Sequence, residues 1–538
     1  MSRLSILALP LVRVGIVLLV GTAGLAALQT APPRIPHADL EEATLSDLQN
    51  RMNSGRETAR SLAEKYLARI SAVDRQGPSL RSIIELNPDA LRIADELDAE
   101  RKSKGPRGPL HGIPVVVKDN IATTDRMMTT AGSLALVGTK PPREAFIVTR
   151  LRAAGAVILG KTNMSEWANF RSGHSTSGWS ARGGQTINPY ALDRSPSGSS
   201  SGSAVAVAAN LAAVAVGTET DGSIVSPAQS NAIVGIKPTV GFVSRAGIIP
   251  ISHSQDTAGP MARTVADAAA LLSVMAGPDP DDTATLKHTP PRDLSASLDP
   301  QGLRGARIGI VRNRLFRYNL ARDRIADDAI AVMKAHGAIV VDPANIPTLG
   351  TFDDTEIQVL LYEFKAGLNK YLGSLGPNSP VKSLSDVIAF NEAHAKDELV
   401  HFGQEILMLA DLKGPLDRTE YTAALAGSQR QARELGIDAV MAEYQLDALF
   451  APTGGPAWAI DHANGDRSTA PGPSSIAAVA GYPHITVPAG YVDGLPVGVS
   501  FFGRAWSEPA LIRLAYAYEQ ATKHRRPPTF APFAKVSQ

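Results

Sequence analysis

The sequence predicts an α/β protein: one large α/β/α domain whose mixed central sheet is covered by helices on both faces. Three observations predict it. Apolar, β-branched runs alternate along the chain with segments whose apolar residues recur at helical spacing. One of those runs, Leu110 to Val117, is apolar at nearly every position, as a strand buried on both faces requires. A chain of 538 residues that is 44% hydrophobic and 20% charged also carries enough apolar side chain for a sizeable core.

Taken in order, residues 1–28 read as a secretory signal. Arg3 supplies the positive end, an apolar stretch interrupted by Arg13 follows, and Gly24-Leu25-Ala26-Ala27 offers small residues for cleavage. An uncleaved membrane anchor is the alternative, although Val14 to Leu28 is shorter than the roughly 20 residues a span prefers. Residues 29–43 read as a tether and 44–538 as the folded domain. Within it, 44–276 carry the motifs, 277–440 are a variable helical and α/β portion, and 441–538 return to the core sheet. Helices are expected from Ser46, over Thr58–Ile70 (Leu62, Tyr66, Leu67 and Ile70 on one face), over Ala90–Lys104 and over Ala145–Ala154. Strands are expected over Arg81–Leu86, Leu110–Val117 and Ala156–Leu159. Ala204 to Val216 is apolar all round and reads as one short buried helix with a Ser-bearing turn at each end. Thr264–Met275 is a helix, and the Pro/Asp-rich stretch from Gly277 to Gly305 is a surface connection. A second α/β portion starts at Ile308-Gly309-Ile310-Val311. Strands at Ala448–Ala451, Ile485–Pro488 and Val497–Gly503 then lead to a last helix, Glu508–Lys523.

Composition narrows the function. The net charge of +1 supplies no basic surface for nucleic acid. With no cysteine, a thiol nucleophile, a disulfide framework and a Cys-ligated metal are excluded. The 11 histidines form no H-E-x-x-H pattern and no tight His/Asp cluster, so no metal site is expected. Absence of cysteine fits export into an oxidising compartment, periplasmic or secreted.

The chemistry concentrates between Arg182 and Ile224. A Gly/Ser run, Ser195-Pro196-Ser197-Gly198-Ser199-Ser200-Ser201-Gly202-Ser203, precedes the apolar segment, and Gly217-Thr218-Glu219-Thr220-Asp221-Gly222-Ser223-Ile224 follows it. A flexible linker has no reason to enter a buried segment. A phosphate loop needs Gly-Lys-Ser/Thr, and Gly202-Ser203-Ala204 has no lysine. Gly198-Ser199-Ser200-Ser201-Gly202 matches a nucleophile elbow around Ser200, but the residues before it make a poor strand. Upstream, Val115-Val116-Val117-Lys118-Asp119-Asn120 places Lys118 at the end of the buried strand, with Asp119 facing the other way. A lysine so buried loses its proton more readily, which makes Lys118 a candidate base; the alternative is a strand-end lysine held charged by a carboxylate from elsewhere in the chain.

The paired Ser turns together with Lys118 resemble the amidase signature family over nearly the whole chain after residue 40, and within it the bacterial peptide amidases most. That resemblance implies a hydrolase of linear amides without a cofactor. It implies Ser223 as nucleophile, Ser199 as a bridging serine with a cis peptide bond before it, and Lys118 as the ultimate base. It also implies that the backbone N–H groups of Thr220, Asp221, Gly222 and Ser223 hold the oxyanion. The substrate it implies is a peptide C-terminal amide. The alternatives are a broader aliphatic or aryl amidase, a non-catalytic binding protein and an amidotransferase A-type subunit. The chain departs from the commonest family turn, Thr-Asp-x-Gly-Gly-Ser-Ile-Arg: Glu219 replaces the Asp, Asp221 the first Gly and Val225 the Arg. The departure bears on substrate, and Asp221 is expected to be tied down by hydrogen bonds away from the oxyanion. The competing readings are Lys161 as base, Ser379-x-x-Lys382 as a chance match, and a Ser200 triad with His253, His462 or His484.

Overall fold

The computed structural model describes residues 36–291 and 293–534. The expected signal or anchor and the first part of the tether lie outside the described residues. The strands are β1 (Ile83–Leu86), β2 (Pro114–Lys118), β3 (Val157–Thr162), β4 (Trp179–Ser180), β5 (Gly184–Gln185), β6 (Val214–Glu219), β7 (Val234–Lys237), β8 (Thr257–Ala262), β9 (Arg307–Ile310), β10 (Ile339–Val341), β11 (Ala448–Pro452), β12 (His484–Val492) and β13 (Leu495–Phe502). Eleven of them form one sheet in the order β1-β3-β2-β6-β8-β7-β12-β13-β11-β9-β10, while β4 pairs with β5 apart from it. The sheet is mixed, as expected. β3, β2 and β6 run parallel, β6, β8, β7 and β12 alternate in direction, and β11, β9 and β10 run parallel again.

Valines at 115–117 and 214 and 216 are fully buried, because helices cover both faces of these central strands. One continuous apolar core runs along the sheet from Leu48 and Leu62 to Leu511 and Tyr518. The second α/β portion contributes β9 and β10 to an edge of this same sheet. The helix Asp353–Ser374 builds a smaller core of its own, in which Phe364, Leu368 and Leu384 meet Met164, Trp167 and Ile249. Among the described residues, no helix is long and apolar enough to cross a membrane.

Two expectations need correction. The first is the tether. Leu40 and Ala43 are buried in the main core and Glu42 pairs with Arg525, so the chain is packed before residue 44. The second is the buried helix. Ala204 to Val216 is not one helix but the end of the helix Ser201–Ala208, a tight reversal and the start of β6. Asn210 takes the left-handed conformation (φ 58°), and the N–H of Leu211 donates back to Ala206 O at 2.8 Å, which ends the helix. Asn210 is held there by Glu42, whose N–H donates to Asn210 Oδ1 at 2.9 Å. Val214 and Val216 then favour strand. The reversal matters for function. A straight 13-residue helix would separate its two end turns by about 20 Å. Folding back brings them together, so that Ser200 N donates to Ser223 O at 3.2 Å.

Candidate active site

The site lies at the carboxyl ends of β2 and β6, parallel neighbours with Val117 opposite Val216. Lys118 is the last residue of β2 and is fully buried. Its Nζ lies 2.8 Å from Ser199 Oγ, 2.9 Å from Ser200 Oγ, 2.9 Å from Thr218 Oγ1 and 3.1 Å from Thr218 O. No carboxylate forms an ion pair with it among the described residues. Burial pulls its pKa down to about 7, against the opposing charges of Glu219 and Asp256. A lysine that is half neutral near pH 7 has a lone pair to accept a proton from a bonded hydroxyl. Asp119 does face away, as expected. Its carboxylate accepts from Thr130 Oγ1, from Gly132 N at 3.1 Å and from Arg182 Nη1 at 3.2 Å.

Ser199 and Ser200 start the turn into the helix Ser201–Ala208 and are fully buried. The Gly198-Ser199 peptide bond is cis. Ser199 O accepts from Ser165 N at 3.1 Å. Backbone fits here only because side chains are absent: a Cβ on Gly198 would sit 2.3 Å from Ser165 Oγ, and one on Gly202 2.3 Å from Ser82 O. Ser200 is bonded on every side. Its hydroxyl donates to Thr218 O at 3.0 Å and accepts from Lys118 and from Thr218 N at 3.2 Å.

Ser223 follows Gly222, which takes the left-handed conformation (φ 77°) that the turn demands. Ser223 is 9% exposed, whereas Ser199 is sealed off, so of the two only Ser223 reaches solvent. No hydrogen bond joins their hydroxyls; the Ser200 N to Ser223 O bond sets their spacing. Thr220 Oγ1 donates to Asp256 Oδ1 at 2.6 Å. Asp221 is tied down: its Oδ2 accepts from Ser475 Oγ at 2.7 Å. Burial raises its pKa, and Glu356 from the helix Asp353–Ser374 is near enough to have its own pKa raised well above the usual range, first by burial and then by Asp221. A cavity of about 580 Å³ lies alongside, walled by Asn120, Thr218, Glu219 and Thr220 on one side and by Ile249, Ile251 and Tyr371 on the other. Ser199 and Ser223 are not on its wall, so it meets the site through Thr218 to Thr220.

The competing candidates are elsewhere. Lys161 Nζ donates to Ile121 O at 2.5 Å and Thr129 Oγ1 at 2.8 Å and touches no serine. His253 lies 3.4 Å from Glu363, His462 stacks on His401, and His484 bonds Ser500, so none serves Ser200. Ser379 Oγ donates to Val381 O. Sequence reasoning misses Thr218, Asn120 and Glu356. Asn120 Nδ2 donates to Thr218 Oγ1 at 3.0 Å, and its place two residues after Lys118 is the one signal that points to it.

A family model described as Amidase matches residues 61–512. The crystal structure of native peptide amidase from Stenotrophomonas maltophilia is 56% identical, with a TM-score of 0.87, covering 91% of this chain and 99% of that one. An Arabidopsis thaliana protein named "Probable amidase" is 45% identical over 502 residues, 91% of this chain and 92% of the relative. The A-type subunit of glutamyl-tRNA(Gln) amidotransferase from Symbiobacterium thermophilum is 36% identical over 488 residues, 88% and 95% of the two chains.

Proposed function

Because this chain belongs to the amidase signature family and is an amide-hydrolysing enzyme, we propose that it removes the C-terminal amide of peptides, with Ser223 as nucleophile, Ser199 as proton bridge and Lys118 as base. The observation that carries the catalytic part is the buried Lys118 Nζ, 2.8 Å from Ser199 Oγ and without a paired carboxylate. The substrate class is supported by the 56% identity to a peptide amidase across almost its whole length.

In this mechanism Ser223 Oγ attacks the amide carbonyl as its proton passes through the Ser199 hydroxyl to neutral Lys118. The carbonyl oxygen takes up negative charge beside the N–H groups of Thr220, Asp221, Gly222 and Ser223. One such donor contributes about 3 kcal/mol to the transition state. When the tetrahedral intermediate collapses, the C–N bond breaks and Lys118 returns the proton through Ser199 to the leaving nitrogen. Ammonia departs and an ester on Ser223 remains. Water then attacks the ester by the same route in reverse, freeing the peptide acid and restoring the Ser223 hydroxyl.

Export to the periplasm or medium belongs to the same proposal, supported by the charged and apolar pattern of residues 1–28. A second reading is an ammonia-supplying component of a larger assembly, favoured by the 36% identity to the A-type amidotransferase chain. Ammonia release from the isolated chain, measured over peptide amides, simple aliphatic and aryl amides, and glutamine, separates the readings. Highest kcat/KM on peptide amides is expected. Turnover of simple amides alone, or of glutamine alone, would overturn the peptide reading.

A further inference from the structure

Glu219 ends β6, four residues ahead of Ser223, and is 1% exposed. Its Oε2 accepts from Ile224 N at 2.6 Å and from Val225 N at 3.0 Å, the two residues that follow Ser223. One carboxylate therefore closes the loop from 219 to 225 across its mouth, with Thr220–Ser223 between its ends. Hydrogen bonds to an ionised acceptor are about twice as strong as neutral ones. The related family pattern places an aspartate here and an arginine at the position of Val225, which carries no charge. The longer glutamate reaches the backbone instead of a side chain.

The surroundings complete the clamp. Burial raises the Glu219 pKa, and Lys237, fully buried at the end of β7, is the leading charge that opposes the rise. Its Nζ donates to Tyr482 O at 2.6 Å and to Ala477 O at 3.3 Å. Ala477 lies in the helix Ser474–Ala480, whose Ser475 holds Asp221. The turn is gripped from both flanks. On its other side, the Glu219 charge acts on Lys118.

We propose that Glu219 is a positioning residue: its carboxylate fixes the Ser223 turn through the N–H groups of Ile224 and Val225. The proposal rests on Ser223 as nucleophile and Lys118 as base. The charged groups facing these two are few. Lys118 faces Glu219 and Asp256, and Glu219 faces Lys237 and Asp221. His484, next to Lys237, is held neutral by burial, with its pKa pulled down to about 3. Asp119 turns away towards Arg182 and Thr130.

The test compares Glu219→Gln, Glu219→Asp and Glu219→Ala with the parent in kcat and KM from pH 5 to 9, with circular dichroism to verify folding. Gln keeps an oxygen for both N–H groups, so its kcat is expected to stay within about tenfold of the parent's, the difference between charged and neutral hydrogen bonds. Asp keeps the charge but is too short for both N–H groups, so kcat falls. Ala loses both, and kcat falls about a hundredfold, the effect of misplacing reacting groups by ~1 Å. A folded Glu219→Gln enzyme no faster than Glu219→Ala overturns the role of these hydrogen bonds. A folded Glu219→Ala enzyme with the parent's kcat overturns the clamp. If instead Ser223→Ala retains turnover in the same assay, the underlying assignment of the nucleophile fails.

Discussion

Replacing Lys118 by Met should abolish turnover and at the same time make the folded state more stable at neutral pH. Met has nearly the length of Lys and no charge to desolvate. In the folded protein burial pulls the Lys118 pKa from its ordinary 10.5 to about 7. The unfolded chain therefore binds more protons than the folded one between those two values, and stability rises with pH across that window. At pH 7 the loss of the proton opposes folding by about 4 kcal/mol, and at pH 10 by about 1 kcal/mol. Lys161 and Lys237, each lowered to about 8 by burial, titrate in the same range but are common to both proteins. The difference between parent and variant isolates Lys118. Met also leaves Ser199, Ser200 and Thr218 without their shared donor, which lowers the absolute gain by the usual ~1 kcal/mol for each unmet group. Its pH dependence is unaffected by that loss. Denaturant unfolding of both proteins at pH 7, 8, 9 and 10 measures the difference. The advantage of Lys118→Met should shrink by roughly 3–4 kcal/mol from pH 7 to pH 10. A constant difference would mean that Lys118 stays charged in the folded protein, and it would remove it as the base.

Activity of the parent should rise from acid through about pH 7, as Lys118 loses its proton; an optimum well below neutrality, with loss on approaching pH 7, would contradict a lysine base. Ser200→Ala should lower kcat by about tenfold or less, the worth of one neutral hydrogen bond, because the Ser200 hydroxyl bonds only Lys118 and the Thr218 backbone. A well-folded but dead Ser200→Ala enzyme would restore Ser200 as a nucleophile. Asp221→Asn keeps the shape of the turn and its bond to Ser475 while removing charge beside the oxyanion. Peptide acids should then inhibit more strongly relative to peptide amides; an unchanged ratio of inhibition to KM would leave Asp221 with a capping role only.

Local patterns in the sequence are informative where one element decides the outcome. The β-branched run ahead of Lys118 signals a strand with both faces covered, and the alternation of a strand forces Asp119 to the far side. The glycines around Ser199 and Ser223 signal close backbone approach, which Gly198 and Gly202 bear out. What escapes is what long-range contact decides. Alanine suits the helix that ends at Ala208, and the break comes from Asn210, pinned by Glu42 from a segment 168 residues away. No helical period could reveal that. The same holds for Thr218, which joins the lysine only because β6 lies beside β2. Glu219 is legible as a departure from a family pattern, but its bonds to Ile224 and Val225 depend on how the turn curls. Tethers are read from prolines, yet Leu40 and Ala43 pack into the core because apolar side chains near a domain edge find surface to cover.

The central claim is that Ser223 carries the acyl group. Acid quenching during turnover of a peptide amide, followed by proteolysis and mass analysis, locates that group directly. An added acyl mass is expected on the fragment containing Ser223 in the parent, with no adduct and no ammonia release in a folded Ser223→Ala protein. An acyl group on Ser199 or Ser200, or wild-type ammonia release by Ser223→Ala, would contradict it.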